Sequence, residues 1–591
     1  MPDRLDLNRL IFSLAVGLLF WTIWPLSAMA IWDQKAYEQS LIDRTLESLG
    51  LTPDPEPEGK IVEDIIVQRY PVIEPTDPWP DFLNIFHVTT KHYIVFQELL
   101  FSKGARYDPD KVLESERNLR DYSMLFSVVR FATARGEQPD RVKVVVITKD
   151  IWSLRLNMDF NIGGGVLDHF TLIPTEQNFL GLNQRVSLYT SVNRDTFSVG
   201  QTYEVPRLIG SRWSLSEALV MRLNQDSEKT EGGMGYLRVA RPLFSLATRW
   251  GTLLEGNFDL GTQRQYDKSG VMEVQIEDEV LQRIYEFERY GFKALVMRSF
   301  GAHWKTTLQT GYSLRSERYS FPARFREVPP EIREAFRRGI MPLDLQAGEL
   351  VGYAQLFEAD YQKHTNVQAF GLTEDIRFGP TAFAEIDWAN PAFGFDQGYV
   401  KLQLGLSYRG LLLSNILSIG MGGSIRKTAA PLFADVAELW IDRYLDVSFE
   451  HISPQLLRLG RSFLRVRYAF TQFNTKRALF SLGGDNTLRG FASAFRQGTR
   501  LVNVNWEFRS RPWIFHTVHL GFVVFYDGGD VYDYPPRNDF QYHNSLGLGL
   551  RTLFPQFNRV VLRIDAGFPL GADFHADLWR TWISASFLQA F

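Results

Sequence analysis

Arg489 stands in Gly483-Gly484-Asp485-Asn486-Thr487-Leu488-Arg489-Gly490-Phe491, and Asp527 follows in Phe525-Tyr526-Asp527-Gly528-Gly529. A guanidinium between glycine bends and a carboxylate on a glycine-flanked strand are two halves of one ion pair. Arginine suits such a role because its planar fork directs two charge-assisted hydrogen bonds onto a carboxylate. Gly483, Gly484 and Gly490 allow the tight bends that would turn the loop back on itself. Strand parity puts Glu507 on the same wall: it alternates with Trp506 as Asp527 alternates with Phe522, Val524 and Tyr526. The expected arrangement is one arginine held between two carboxylates. Breaking one partner of such a desolvated contact would cost ~3–5 kcal/mol. Its chemistry is mechanical rather than catalytic.

The elements that must position these residues are strands. Leu464, Val466, Tyr468 and Phe470 alternate with Arg465, Arg467, Ala469 and Thr471, and Val502, Val504, Trp506 and Phe508 alternate with Asn503, Asn505, Glu507 and Arg509. Val560, Leu562, Ile564 and Ala566 alternate with Val561, Arg563, Asp565 and Gly567. Long apolar faces rich in aromatics, backed by charged faces, fit a sheet between lipid and a wet lumen. Such a sheet must close, because open edges are intolerable in hydrocarbon. The chain of 591 residues is 14% aromatic. Its mean hydropathy of −0.16 is too low for a bundle of membrane helices. From about Leu154, roughly 435 residues at ~27 per strand and connection give about 16 antiparallel strands. Glu277 to Tyr290, charged and of helical aspect, and Arg324 to Arg338, with Pro329 and Pro330, read as extramembrane insertions.

Upstream, Arg4 and Arg9 precede an apolar run from Leu10 to Trp21 and a small-residue site at Ala28-Met29-Ala30, the pattern of a signal peptide over 1–30. Residues 31–59, with Pro53, Pro55 and Pro57, read as a Pro-rich linker. Residues 60–151 read as a small α+β unit of order β-α-α-β-β. It begins with a strand from Ile61 to Ile73. A helix over Thr90 to Phe101 and another from Pro109, capped by Asp108, come next, and β-branched runs at Val128 to Thr133 and Val142 to Thr148 close it. The barrel occupies 152–591.

Other chemistry is poorly supported. The chain has no cysteine, which removes disulfides, thiolate metal sites and cysteine nucleophiles. His87 and His92 are spaced wrongly to share a helix face, so they read as structural histidines and no metal site is assigned. Gly547-Leu548-Gly549 and Gly163 to Gly165 fit strand glycines better than phosphate loops. There is no G-x-S-x-G elbow. No cofactor and no enzymatic activity are expected. A net charge of −4 gives no support to nucleic-acid binding.

Gly484 to Phe491 resembles the VRGF/Y motif of the BamA/TamA superfamily of outer-membrane assembly factors (bacterial surface antigen family), with Leu488 in place of valine. Phe525 to Gly529 resembles that superfamily's F-x-D-x-G strand motif, and Glu507 falls where the family carries its second acidic partner. Glu176 to Gly181 and Pro206 to Ser211 are further matches near the barrel start. The first unit resembles a single polypeptide-transport-associated (POTRA) domain, best at Gly104 to Tyr107 and Glu116 to Arg120. Family members with well-defined assembly roles usually carry several. The last strand, Trp582 to Phe591, ends in the aromatic of a barrel-assembly signal, although Gln589 replaces a hydrophobic residue.

The resemblance implies a bacterial outer-membrane insertase or translocation factor with its first unit in the periplasm. Its first and last strands would meet in a weak lateral seam, between Leu154 to Ile162 and Trp582 to Phe591, with Asp159 and Ser586 facing each other. The loop held by Leu488, Arg489, Gly490, Phe491, Glu507, Asp527 and Gly529 would stiffen the side away from that seam. Partners would be unfolded outer-membrane or secreted polypeptides, outer-membrane lipid and a possible periplasmic protein. The alternatives are a POTRA-bearing secretion channel, a porin-like pore, or a lipid-handling or structural barrel with a periplasm-spanning partner.

Overall fold

The computed structural model describes residues 34–591 except 76–79, 81, 83, 85–86, 121–124, 164–165, 268–269, 396, 433–436, 458, 516–517, 534–539, 556, 572–581, 588 and 590–591. The expected signal site at Ala28 and Ala30, and the terminal Phe591, lie outside the described residues.

Antiparallel strands from Leu154–Gly163 to Trp582–Phe587 close into one barrel. It has 20 staves, not the expected 16 or so, two of them broken into two segments each. The expectation fell short because it allotted too much chain to connections. Only two residues join Asn193 to Thr196, and two join Leu412 to Asn415.

Alternation sets the two faces. In the strand Arg500–Ser510, Leu501, Asn503, Asn505, Glu507 and Arg509 are buried inside, and Val502, Val504, Trp506 and Phe508 face out. Exposed leucines and aromatics such as Leu404, Leu406, Tyr408, Ile419 and Met421 line the outer wall of other strands. This polarity suits hydrocarbon outside and polar groups within. No described helix is long and apolar enough to cross a membrane.

The strands Ile284–Phe300 and Trp304–Ser320, each 17 residues, pair at 15 positions. That exceeds the ~9–11 residues a membrane strand needs, so they project past the membrane at the end far from the N-terminal α+β unit. There, two neighbouring loops build a cap with its own core of Leu281, Tyr285, Phe287, Tyr319, Phe325, Ile332, Phe336 and Met341. The segment expected to be helical from Glu277 to Tyr290 is instead the hairpin Glu273–Ile276/Glu279–Gln282 running into a barrel strand. Val274 and Ile276 pack into the cap core, so the charges mark the turn. Helix Pro330–Gly339 seals the same core with Ile332 and Phe336.

The N-terminal unit keeps its expected β-α-α-β-β order in a three-stranded sheet: Ile61–Tyr70 is parallel to Arg141–Asp150, which is antiparallel to Phe126–Arg135. Helices His92–Glu98 and Pro109–Arg120 cover one face, packing Val95, Leu99, Val112 and Leu119 on Val142, Val144 and Val146. Asp108 accepts the Asp110 N–H at 3.1 Å and the Lys111 N–H at 3.3 Å, closing the second helix's first turn. The stretch read as a linker is a correction. Residues Gln34–Ser48 form a helix whose Leu41 and Leu46 pack against Val128, Ala132, Val145 and Ile147 on the other face of the sheet. The sheet is therefore covered on both sides.

This unit sits against the near-end turns of the barrel at widely spaced staves. Asn178 donates to Val88 O at 2.9 Å, Arg207 pairs with Glu98, Arg120 donates to Asp375 at 2.9 Å, and Arg559 donates to Arg120 O at 3.0 Å. His87 bonds buried Asp150 through Nε2 at 2.8 Å, a structural role.

Candidate functional site

The loop between Gly460–Gln472 and Arg500–Ser510 enters the barrel as a short ladder, Phe480–Leu482 with Arg496–Gly498. At its tip the Gly484 N–H donates to Phe491 O at 3.0 Å, and the Thr487 hydroxyl donates to Gly483 O at 2.8 Å. Gly483, Gly484 and Gly490 all have positive φ, as the bends require. Leu488 and Phe491 are buried with Ala469, Leu482, Leu501 and Val531. Burying each of these two side chains contributes on the order of 1.5–3 kcal/mol to docking the loop.

Arg489 is buried at the focus. Its Nε and Nη2 donate to Asp527 Oδ2 and Oδ1 at 2.7 and 2.9 Å, and its backbone N–H reaches Oδ2 at 3.1 Å. Nη1 donates to Glu507 Oε1 and to Asp565 Oδ2, the latter at 3.0 Å. The guanidinium lies 3.5 Å over the Phe525 ring, a geometry worth ~2 kcal/mol when desolvated. The two expected carboxylates are met together with a third. Asp565 belongs to the strand Leu562–Pro569, so one arginine ties three staves across a four-stave wall.

Further arginines compensate the carboxylates. Arg509 donates to Glu507 at 2.6 Å, Arg551 to Asp565 Oδ1 at 2.5 Å, and Arg563 to loop residues Asp485 at 2.6 Å and Asn486 at 2.9 Å. Asn503 and Asn505 donate to Thr487 O at 2.9 and 2.8 Å. Asp565, Arg509 and Arg563 share the inward parity that picks out Glu507 and Asp527. That count alone could have found them.

Two glycines set how closely the loop lies on the wall. A Cβ at Gly490 would meet Gly567 C at 2.8 Å, and one at Gly567 would meet the Gly490 N at 2.4 Å. Main chain touches main chain there. Gly529 serves the wall itself, where a Cβ would meet Val502 O at 2.2 Å.

The barrel closes where its last strand Trp582–Phe587 meets its first strand Leu154–Gly163; among the described residues the pairs are Ile583↔Ile162, Ser584↔Asn161 and Ala585↔Phe160. Asp159 and Ser586 occupy the next positions in that register, beyond the last pair. The held loop does not lie on the opposite side, as expected. The strand of Asp565 pairs directly with the last strand, and Arg563 donates to Ser586 Oγ at 2.8 Å. Asn161 Nδ2 lies 3.4 Å from loop residue Ser493 Oγ, and Arg551 donates to Gln589 Oε1 at 3.1 Å. The loop thus touches the first strand directly and reaches the last through Arg563, which it also holds at Asp485 and Asn486. Gln589, which departs from the expected hydrophobic residue, ties the chain's end to the charged wall. No cluster suited to a metal ion occurs among the described residues.

Residues 437–576, which hold the loop, its arginines and all three carboxylates, match the Omp85 superfamily domain. Among solved structures the chain is similar to BamA from Haemophilus ducreyi lacking POTRA domains 1-3, at 15% identity over 89% of this chain and 84% of that one, with a TM-score of 0.36. It is also similar to CdiB from Acinetobacter baumannii, at 11% identity over 100% and 87% of the two chains and a TM-score of 0.38. A third similarity is to CdiB from Escherichia coli, at 11% identity over 95% and 100% and a TM-score of 0.40. No curated protein sequence matches the chain.

Proposed function

We propose, for a chain that carries an Omp85 superfamily domain, that it inserts or translocates polypeptides at the outer membrane, using the short closure of its barrel as a lateral seam. The observation that carries this reading is the closure itself. Among the described residues, three pairs join first and last strands, whereas ten join the first strand to its other neighbour and six join the last to its own. Each lost pair removes main-chain hydrogen bonds, so opening costs least there. The first strand's freed edge would accept a client strand by β-augmentation. The N-terminal unit, read as a POTRA domain in the periplasm, would meet clients before they reach the seam. No nucleotide or cofactor is needed; folding of the client into the membrane drives the step.

The test is depletion of the protein followed by quantification of outer-membrane barrel proteins. We expect a selective fall in a subset of them. An unchanged barrel set with a depleted secretome would move the reading to export. A cysteine pair at 159 and 586 in this cysteine-free chain then tests the seam: oxidation should abolish activity and reductant restore it.

A further inference from the structure

The outer wall carries one feature that neither insertion nor translocation uses. Gln201 on the strand Thr196–Val205 donates through Nε2 to both carboxylate oxygens of Glu217 on Ser214–Asn224, at 2.8 and 3.0 Å, and the contact is exposed. Parity places both outside, since Ser198, Ala218 and Val220 are buried within the barrel and Leu219 and Met221 are exposed. The cross-strand neighbours agree. Gln201 lies in register between Leu188 and Leu219, and Glu217 between Tyr203 and Leu237, with all three leucines about half exposed.

Depth follows from the strand. Glu217 is four residues from Trp213, the exposed indole of the near-end turn. At ~3.3 Å per residue and a tilt of ~40° this is about 10 Å along the membrane normal, inside the apolar band but within reach of the interface for a flexible acidic side chain. A carboxylate facing lipid is costly, and one neutral amide leaves its outward lone pairs open. The groups that can approach from that side belong to lipid or to a second protein. The charge calls for a cationic donor, and the surrounding leucines offer acyl-chain contact.

We propose that Glu217 and Gln201 form a binding site for a phospholipid with a primary-amine headgroup, whose ammonium donates to the Glu217 carboxylate while its chains lie along Leu188, Leu219 and Leu237. A choline headgroup has no N–H to give, and a glycerol headgroup leaves the lipid anionic. The site is independent of the seam and of any client.

Native mass spectrometry of the folded full chain, released from nanodiscs of equimolar phosphatidylethanolamine, phosphatidylcholine and phosphatidylglycerol, reads the bound lipid directly. We expect phosphatidylethanolamine to be retained at least fivefold over phosphatidylcholine, and the preference to vanish in Glu217→Leu. Glu217→Gln, which keeps the shape, should lose most of it. Heat-modified gel mobility establishes that each variant is folded, and replacing a lipid-facing carboxylate with leucine should not impair folding. Equal retention of the three lipids by the unaltered chain, a preference that survives Glu217→Leu, or a second copy of the chain seated there in place of lipid would each overturn the proposal.

Discussion

Two neighbouring stretches of the barrel wall are built on opposite principles. Across the closure, three backbone pairs join two strands among the described residues. One stave away, a buried arginine binds carboxylates from three staves, and three more arginines stand around it. The strong region lies beside the weak one and reaches into it through Arg563 to Ser586 and Arg551 to Gln589. On the proposed reading, a stiff block next to a short seam would localise opening, because the adjoining staves could not share the strain.

The stiff stretch of wall depends most on Arg489. We expect Arg489→Ala to leave Glu507, Asp527 and Asp565 buried around a missing cation, at a cost of ~3–5 kcal/mol. The check is the urea midpoint of the folded barrel. Arg489→Lys should recover only part of this, because an ammonium cannot serve Asp527 through two parallel bonds while also reaching Glu507. Next in size, Gly567→Ala should lift the loop from the wall without removing any charge, since its Cβ meets the Gly490 N at 2.4 Å. We expect ~1–3 kcal/mol, read as faster proteolysis of the loop. A double-mutant cycle of Arg489→Ala with Asp527→Ala should give a coupling of ~2 kcal/mol, and additive losses would deny the contact. The smallest effect belongs to Gln589→Leu. Losing its bond to Arg551 should cost ~1 kcal/mol, and it should speed labelling of cysteines placed at the seam.

Much of this wall could be read from the chain because barrel strands expose their faces by a period of two. That rule places Glu507 and Asp527 inside and Trp506 and Tyr526 outside without any structure. It places Asp565 inside equally well. Asp565 lies outside the motif with two acidic partners, although the parity of Arg563, Asp565 and Gly567 is plain. Position around the barrel was less accessible: the loop's nearness to the closure depends on barrel order beyond Val518–Tyr532, which residue spacing does not encode. The helix Gln34–Ser48 was hidden by the prolines that follow it, yet Tyr37, Leu41 and Thr45 repeat at four-residue spacing along its inner face. The cap core was out of reach, since Leu281 and Phe336 come from different loops whose pairing residue spacing does not encode.

The touching glycines carry a consequence for how the barrel is made. Gly490 and Gly567 meet backbone to backbone, with no space for a side chain to slide in later. All three carboxylates, for their part, converge on Arg489. Loop and wall must therefore mature together: the strands from Arg500–Ser510 to Leu562–Pro569 reach their final spacing only as the loop tip settles between them. These four staves would then form in a single cooperative step, leaving the terminal strand Trp582–Phe587 to be the final one laid down.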